Sequence, residues 1–146
     1  MPIRKNIRLS WFDYSAGWSF FVTICIQDRE QILGYIDEDK NNHLNHFWKI
    51  AEEWLQNIPN IYRNTQLWSY VIMPDHIHFV VNIQHTENLS LSQIVKWYKQ
   101  SVGKNIRIIK PNFIRQKWYY EHIIRDEVDL VRIEEYIYNN PINQKT

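Results

Sequence analysis

The sequence predicts an α+β fold of the ferredoxin-like type, a split βαβ arrangement with one antiparallel sheet. The first observation is the order of strand-like and helix-like segments: runs of β-branched and aromatic residues alternate with two stretches in which apolar residues recur at helical spacing. The second is a Pro-Asp pair that separates two apolar runs in the middle of the chain. The third is an additional amphipathic segment near the carboxyl end. Together they predict both main helices on one face of the sheet and leave the other face open to be covered or to bind a ligand.

The first half of the pattern contains a strand and a helix. Residues 18–26, WSFFVTICI, are rich in aromatic and β-branched side chains, which favour a strand. Residues 31–36 are predicted to form a short extended segment. From about Asn42 to Asn57 apolar residues recur at helical spacing, and Pro59 marks the end of this amphipathic helix.

The second half begins with a predicted hairpin. Residues 66–73 and 76–83 are apolar enough for two strands, and Pro74-Asp75 between them is typical of a tight turn. The remaining predicted elements follow in order: a helix over 89–106 capped by Ser90 or Ser92, a partly extended segment over 113–124, and a helix over 127–139 capped by Asp126 and ended by Asn140-Pro141.

Composition bounds the class of protein. The 146 residues are 45% hydrophobic and 15% aromatic, which predicts one globular domain over 1–146. Cys25 is the single cysteine, so an internal disulfide and a multi-cysteine zinc site are excluded, and a small core residue is its expected role. No run approaches the roughly 20 apolar residues that span a bilayer, and no signal-type segment follows the amino terminus. A soluble cytoplasmic protein is expected.

Charge is distributed unevenly along the chain. The net charge is only +1, yet no acidic residue occurs between Glu87 and Glu121. Cations neutralise phosphates and aromatic rings stack on unpaired bases, so this interval suits single-stranded or irregular nucleic acid, although a solvated basic helix face explains the charges equally well. The candidate DNA-binding residues are Arg4 and Lys5 at the amino terminus, and Lys96, Lys99, Lys104, Arg107, Arg115, Lys117, Trp118 and Tyr120 in the interval.

Two histidines interrupt the second strand of the predicted hairpin. Because strand side chains alternate, Ile77 and Phe79 point to one face, and His76 and His78 point together to the open face. Two imidazoles at i and i+2 could share a metal ion, whereas a metal-free surface pair is the commoner meaning of an isolated His-x-His. A phosphoesterase with two His-x-Thr/Ser motifs is excluded, because neither histidine has Thr or Ser two positions later.

The last predicted helix carries a second unusual pair. Tyr136 and Asn140 are four residues apart and therefore share one helix face, beside Ile133 and Ile137. If this helix covers the open face of the sheet, both side chains would be directed at the histidines. Asn140 could then supply an oxygen ligand and Tyr136 a phenolic nucleophile. A core tyrosine and a helix C-cap asparagine are the alternatives that the residues leave open.

Three segments carry a resemblance to a known family: FFVTICIQDR, YVIMPDHIH and HIIRDEVDLVRIEEYIYNNP. In these segments the chain resembles the single-tyrosine HUH transposases of the IS200/IS605 type, and most closely the REP-associated tyrosine transposases. The three segments span most of the chain in the family's order. The resemblance implies the HUH endonuclease fold, with an additional C-terminal helix that carries the tyrosine.

The resemblance also implies roles for individual residues. His76 and His78 match the two metal ligands, and Asn140 stands where the family has a third, amide ligand. Tyr136 matches the nucleophile, with Tyr120 as the second choice. His122 matches the histidine of the HxIRD element, which implies a catalytic-site or DNA-contact role. Tyr138 is about 200° around the helix from Tyr136, so helix geometry predicts that it is not the nucleophile.

The activity implied is that of a metal-dependent single-strand DNA endonuclease and strand transferase. It would cleave and rejoin hairpin-bearing, REP-like DNA through a 5′-phosphotyrosine, with Mg²⁺ or Mn²⁺ as cofactor. A homodimer is compatible with the residues, as is a monomer. Two alternatives remain at this stage: a non-catalytic module that binds structured nucleic acid, and a metal-dependent phosphodiesterase that uses water as its nucleophile.

Overall fold

The computed structural model describes residues 17–84, 90–114 and 119–143, and side chains within these ranges up to residue 139. The strands there are β1 (Trp18–Cys25), β2 (Gly34–Ile36), β3 (Asn42–Leu44), β4 (Thr65–Met73), β5 (His76–Ile83) and β6 (Tyr120–Ile123). The helices are α1 (His46–Gln56), α2 (Ile58–Ile61), α3 (Leu91–Ile109) and α4 (Glu127–Asn143), with a 3₁₀ turn at Gln27–Arg29.

The main sheet has four strands in the order β4-β5-β1-β6, and every neighbouring pair is antiparallel. The two βαβ halves, β1-α1-β4 and β5-α3-β6, are therefore interleaved so that β1 and β5 lie at the centre. This is the predicted split βαβ arrangement, and the α+β fold class is confirmed. Strands β2 and β3 form a separate two-stranded sheet.

The two faces of the main sheet are buried by different helices. On one face, Ile77 and Phe79 of β5 belong to the large core that also contains residues of α1 and α3. On the other face, Val80 belongs to a second cluster with Leu130 and Ile137 of α4. Burying each such side chain stabilises the fold by roughly 1.5–3 kcal/mol. The result is three layers, with α1 and α3 on one side, the sheet between, and α4 over the face that the sequence leaves open.

The first helix begins later than predicted. Asn42–Leu44 pairs with Gly34–Ile36 as a strand, and α1 begins at His46. Asn45 caps it, because the Asn45 side chain accepts a hydrogen bond from the backbone N–H of Trp48 at 2.9 Å. The pairing requires a glycine: Gly34 has φ +152°, and a Cβ there would lie 2.1 Å from the carbonyl oxygen of His43.

The other element ends differ modestly from prediction. Helix α3 starts with a capping box formed by Ser90 and Gln93 and continues to Ile109 rather than 106. Helix α4 continues through Pro141 to Asn143, since a proline removes one helical hydrogen bond without necessarily ending the helix. Across the described ranges, no helix combines the length and apolarity that crossing a bilayer requires.

Candidate active site

His76 and His78 lie side by side on β5, on the sheet face that α4 covers. Their ring centroids are 4.7 Å apart, with the ring planes inclined at 68°. Each histidine is only 5% exposed, because the neighbouring strands and α4 enclose them. The strand alternation predicted from the sequence is thus observed, and the pair is buried rather than displayed at an open surface.

The imidazole of His76 is held by a carboxylate. His76 Nδ1 donates to Asp75 Oδ1 at 2.6 Å, since an ionised carboxylate can only accept. Arg29 Nε donates to the other oxygen of Asp75 at 3.0 Å. Burial tends to raise the pKa of Asp75, but the hydrogen bonds from His76 and Arg29 outweigh it, so the pKa of Asp75 is lowered. Asp75 therefore stays ionised and directs Nε2 of His76 away from itself.

The imidazole of His78 is held by the adjacent strand. Thr23 lies directly opposite it on β1, and Thr23 Oγ1 is 2.9 Å from His78 Nδ1. The ring of Phe21 stacks on His78 at a centroid distance of 5.2 Å. Burial lowers the pKa of His78 to about 3, and the charges of His76 and Arg29 add to this shift. His78 is therefore neutral at ordinary pH, which is the form that binds a metal.

Tyr136 reaches this pair from α4. Its ring centroid is 5.3 Å from that of His78 and 6.1 Å from that of Phe21. The neighbouring Ile133 and Ile137 are buried against the sheet, which fixes the rotation of the helix, while Tyr136 remains 50% exposed. One chain thus brings together a phenol and two imidazoles, and leaves the phenol accessible to a ligand.

Asn140, the predicted amide ligand, lies in α4 one turn beyond Tyr136. Its side chain lies outside the described residues, although the spacing of four gives the two residues the same side of the helix. Within the described ranges, no group of three or more His, Cys, Asp and Glu side chains is arranged to hold a metal ion.

The other candidate tyrosines lie elsewhere. Tyr120 on β6 is paired with Thr23, so it shares the sheet face of His78 but stands two strands away from it, roughly 10 Å at the usual strand spacing. It is 65% exposed. Tyr138 is an exposed residue of α4, two positions beyond Tyr136 and so on a different side of the helix. Of the three tyrosines, Tyr136 is the one whose ring lies against His78.

His122 contacts the helix that carries Tyr136 rather than Tyr136 itself. Its Nε2 lies 2.8 Å from Asp129 Oδ2, and the same oxygen accepts the backbone N–H of Arg125 at 3.1 Å. Asp129 is in the first turn of α4, seven residues before Tyr136 and therefore on the same side of the helix. The contact ties the edge strand β6 to the start of α4.

The predicted DNA-binding residues are divided between regions. Lys96, Lys99, Lys104 and Arg107 lie on α3, and thus on the sheet face opposite to the histidines. Lys99 Nζ is 6.0 Å from the ring centroid of Tyr119, and Arg107 Nε donates to the carbonyl of Phe113 at 3.1 Å. The rest of the set, apart from Tyr120 described above, lies outside the described residues: Arg4, Lys5, Arg115, Lys117 and Trp118.

The site includes four residues to which the sequence alone gives no role: Phe21, Thr23, Arg29 and Asp75. Their contacts cross between strands or reach the β4–β5 turn from the end of β1, so no local periodicity identifies them. The signal that could have found them is their position. The first three fall within FFVTICIQDR, and Asp75 falls within YVIMPDHIH.

Comparison with known proteins places the chain in a family. The family model described as "Transposase IS200 like" matches residues 19–140, most of the chain. An uncharacterized protein of Haemophilus influenzae is 31% identical over 160 aligned positions that cover 95% of this chain and 88% of the relative. Another H. influenzae protein, named as a candidate REP-associated tyrosine transposase, is 27% identical and covers 89% of this chain and 73% of the relative.

Two solved structures share the fold. A REP-associated tyrosine transposase bound to a REP hairpin superposes with a TM-score of 0.69 at 19% identity, covering 91% of this chain and 72% of that one. A candidate transposase from Deinococcus radiodurans gives a TM-score of 0.57 at 16% identity, covering 83% and 88% of the two chains. The family model covers most of the chain, and so the chain belongs to the IS200-like transposase family.

Proposed function

We propose that this chain cleaves and rejoins single-stranded DNA through a covalent 5′-phosphotyrosine at Tyr136, with the help of a divalent metal ion. The observation that carries the proposal is the contact between the Tyr136 ring and the buried ring of His78 within one chain. A tyrosine that only fills the core would be buried, whereas Tyr136 is half exposed. A histidine pair with a purely structural role would not require a phenol beside it, whereas the Tyr136 ring lies beside His78. Membership of a transposase family supports the same activity.

The residues fit a divalent ion. His76 and His78 use Nδ1 in their contacts with Asp75 and Thr23, which leaves Nε2 of each imidazole as a potential ligand. Metal-binding imidazoles usually have their other ring nitrogen held by a hydrogen bond of this kind. Asn140 would complete the ligands with an amide oxygen. Mg²⁺ or Mn²⁺ bound there would polarise a non-bridging oxygen of the scissile phosphate. Oxygen ligands and water suit these ions, and the family resemblance favours them over zinc.

The chemistry of the chain's own residues then follows. The phenolic oxygen of Tyr136 attacks the phosphorus, so that an O–P bond forms as the bond from phosphorus to the 3′ oxygen breaks. The phenol loses its proton to solvent or to a nearby base, and the departing 3′ oxygen takes up a proton. Because the phosphodiester energy is retained in the tyrosine link, a second 3′-hydroxyl can reverse the step and join new ends.

The substrate that we propose is a single strand bearing a hairpin. A structural relative is bound to a REP hairpin, and the exposed Tyr120 and the cations of α3 offer stacking and phosphate contacts. The cations on α3 face away from the histidines, so we assign them to flanking DNA rather than to the scissile phosphate. We assign Arg4, Lys5, Arg115, Lys117 and Trp118 to the same flanking contacts on the basis of charge and ring chemistry alone.

The test is capture of the covalent intermediate. The full chain is incubated with Mn²⁺ and a labelled pool of single-stranded oligonucleotides, each with one hairpin and randomised flanks, and is then denatured and run on a gel. We expect a protein–DNA band that survives denaturation, and sequencing of its DNA identifies the cleaved linkage. Cleavage without a covalent band would instead indicate a hydrolase that uses water, and binding without cleavage would indicate a non-catalytic module.

The active site is proposed to be complete within one chain, whether or not the protein dimerises. We therefore expect that a mixture of His78→Ala and Tyr136→Phe proteins forms no adduct above about 1% of the wild-type level, because neither chain contains both halves of a site. Adduct yield after long co-incubation of the two variants is the measurement. Recovery toward a quarter of the wild-type yield would show that α4 is exchanged between chains and would contradict the proposal.

A further inference from the structure

Arg29 sits at the edge of the histidine site without a role in the chemistry described above. Its Nε donates to Asp75 Oδ2 at 3.0 Å, while Asp75 Oδ1 binds His76 Nδ1 at 2.6 Å, so one carboxylate separates the guanidinium from the imidazole. Among the described residues this is the one hydrogen bond of the guanidinium. Four of its five N–H donors, those on Nη1 and Nη2, are left for another acceptor.

The guanidinium is accessible and close to the reacting groups. The Arg29 side chain is 57% exposed, whereas that of Asp75 is 11% exposed, so the cation stands on the solvent side of the carboxylate. The hydrogen bond to Asp75 raises the pKa of Arg29, burial opposes the rise, and the proximity of Tyr136 is among the smaller contributions that add to it. The positive charge of Arg29 also acts on His78. Arg29 therefore lies within electrostatic range of both the phenol and the imidazoles.

The backbone holds Arg29 in an unusual conformation. Asp28 and Arg29 have φ of 58° and 55°, in the left-handed region that residues other than glycine rarely adopt. The turn is pinned to the β4–β5 connection, because the N–H of Ile26 donates to the carbonyl of Asp75 at 2.8 Å. Two consecutive residues of this kind persist where the surroundings enforce them, which is a common feature of functional sites. The turn thus aims Arg29 at Asp75.

We infer that Arg29 binds the scissile phosphate: anchored through Nε on Asp75, it donates from Nη1 and Nη2 to a non-bridging oxygen. This inference rests on the proposed function and extends it. A planar guanidinium suits the paired oxygens of a phosphate, and a fixed cation stabilises the charge that develops as Tyr136 attacks. A salt bridge that merely orients Asp75 is the competing role, and the two roles predict different responses to the charge of the phosphate.

The experiment uses the oligonucleotide recovered from the covalent adduct, with and without a neutral methylphosphonate at the cleaved linkage. We expect Arg29→Gln to slow adduct formation about 100-fold, as loss of one preorganised donor does. In a Tyr136→Phe background, Arg29→Gln should weaken binding of the unmodified DNA about tenfold. On the methylphosphonate DNA, the Tyr136→Phe protein and the Tyr136→Phe, Arg29→Gln protein should bind within twofold of each other. The reason is that the neutral linkage lacks the negative charge that Arg29 would contact.

Three comparisons complete the design. Arg29→Gln should leave Mn²⁺ affinity unchanged, whereas Asp75→Asn should lower it by about 10- to 100-fold, because Asp75 orients a metal ligand. Arg29→Lys keeps the charge without the planar fork, so an intermediate rate is expected. Arg63→Gln, an exposed arginine just before β4 at the opposite end of the β4–β5 pair from the histidines, is the matched control and should behave as wild type.

The outcomes are separable. Wild-type rates in Arg29→Gln, an equal binding defect on methylphosphonate DNA, or a parallel loss of Mn²⁺ affinity would each overturn the role of Arg29 and leave the proposed function standing. If the wild-type protein forms no covalent adduct with any oligonucleotide in the pool, the proposed function fails, and the role of Arg29 fails with it.

Discussion

Replacement of Tyr136 by phenylalanine is expected to abolish the covalent protein–DNA adduct, with a loss of more than about 1,000-fold in rate. The substitution removes a single oxygen from a ring that lies 5.3 Å from that of His78 and is half exposed. Its packing against Phe21 is retained, since both rings remain. The measurement is the yield of denaturation-resistant adduct over time, together with DNA affinity, which should change less than about threefold because phosphate contacts supply most of it.

Two further tyrosine variants serve as matched controls. Tyr138→Phe alters the same helix at an exposed position, and Tyr120→Phe alters the same sheet face about two strands from His78. Both should form adduct within a few-fold of the wild-type rate. An adduct that persists in Tyr136→Phe and disappears in Tyr120→Phe would show that the nucleophile is on β6 rather than on α4.

Replacement of His78 by alanine is expected to remove both the metal site and the adduct. We expect Mn²⁺ affinity to fall at least about 100-fold, since loss of a ligand should exceed the roughly 10- to 100-fold effect of losing a residue that only hydrogen-bonds a ligand. Adduct formation should fall with it. Isothermal titration calorimetry with Mn²⁺ measures the first effect and the denaturing gel measures the second.

The control for His78→Ala is another histidine. His46 is exposed in the first turn of α1, and α1 packs on the other face of the sheet. His46→Ala should bind Mn²⁺ and form adduct as the wild type does. Far-ultraviolet circular dichroism checks that His78→Ala, which empties a buried position, retains its fold. Undiminished Mn²⁺ binding in a folded His78→Ala protein would rule out this imidazole as a ligand.

The family resemblance and the fold class can both be recognised from the sequence, because both depend on local signals. Alternation along HIHFVVNI separates His76 and His78 from Ile77 and Phe79, and the structure preserves that separation. The spacing of Tyr136 and Asn140 assigns them to one side of a helix in the same way. By contrast, helical spacing predicts Asn42–Leu44 as the start of a helix, whereas in the structure it is a strand. A turn brings Gly34–Ile36 alongside it as a pairing partner, and the periodicity of the sequence does not indicate this pairing.

Side-chain surroundings could not be predicted in the same way. The cations on α3 form a run in the sequence, yet α3 lies on the opposite face of the sheet from the histidines. His122, to which the resemblance assigns a catalytic-site or DNA-contact role, lies 2.8 Å from Asp129 through Nε2, and no local pattern indicates this contact with the helix of Tyr136. Each result depends on which layer an element packs against, and that choice is made by the whole core.

The sequence by itself determined the order of the strands and helices that build the main sheet and its covering layers, the shared face of the two histidines and the family to which the chain is similar. These follow from residue type and spacing, which act over a few residues. The tertiary structure alone decided that α4 lies over its own chain's histidines, that His78 is neutral between Thr23 and Phe21, and that Arg29 reaches Asp75 across 46 positions. Such contacts exist only once the sheet has formed and α4 has packed on it, because the hydrophobic burial of β5 and α4 brings together groups that no local pattern connects.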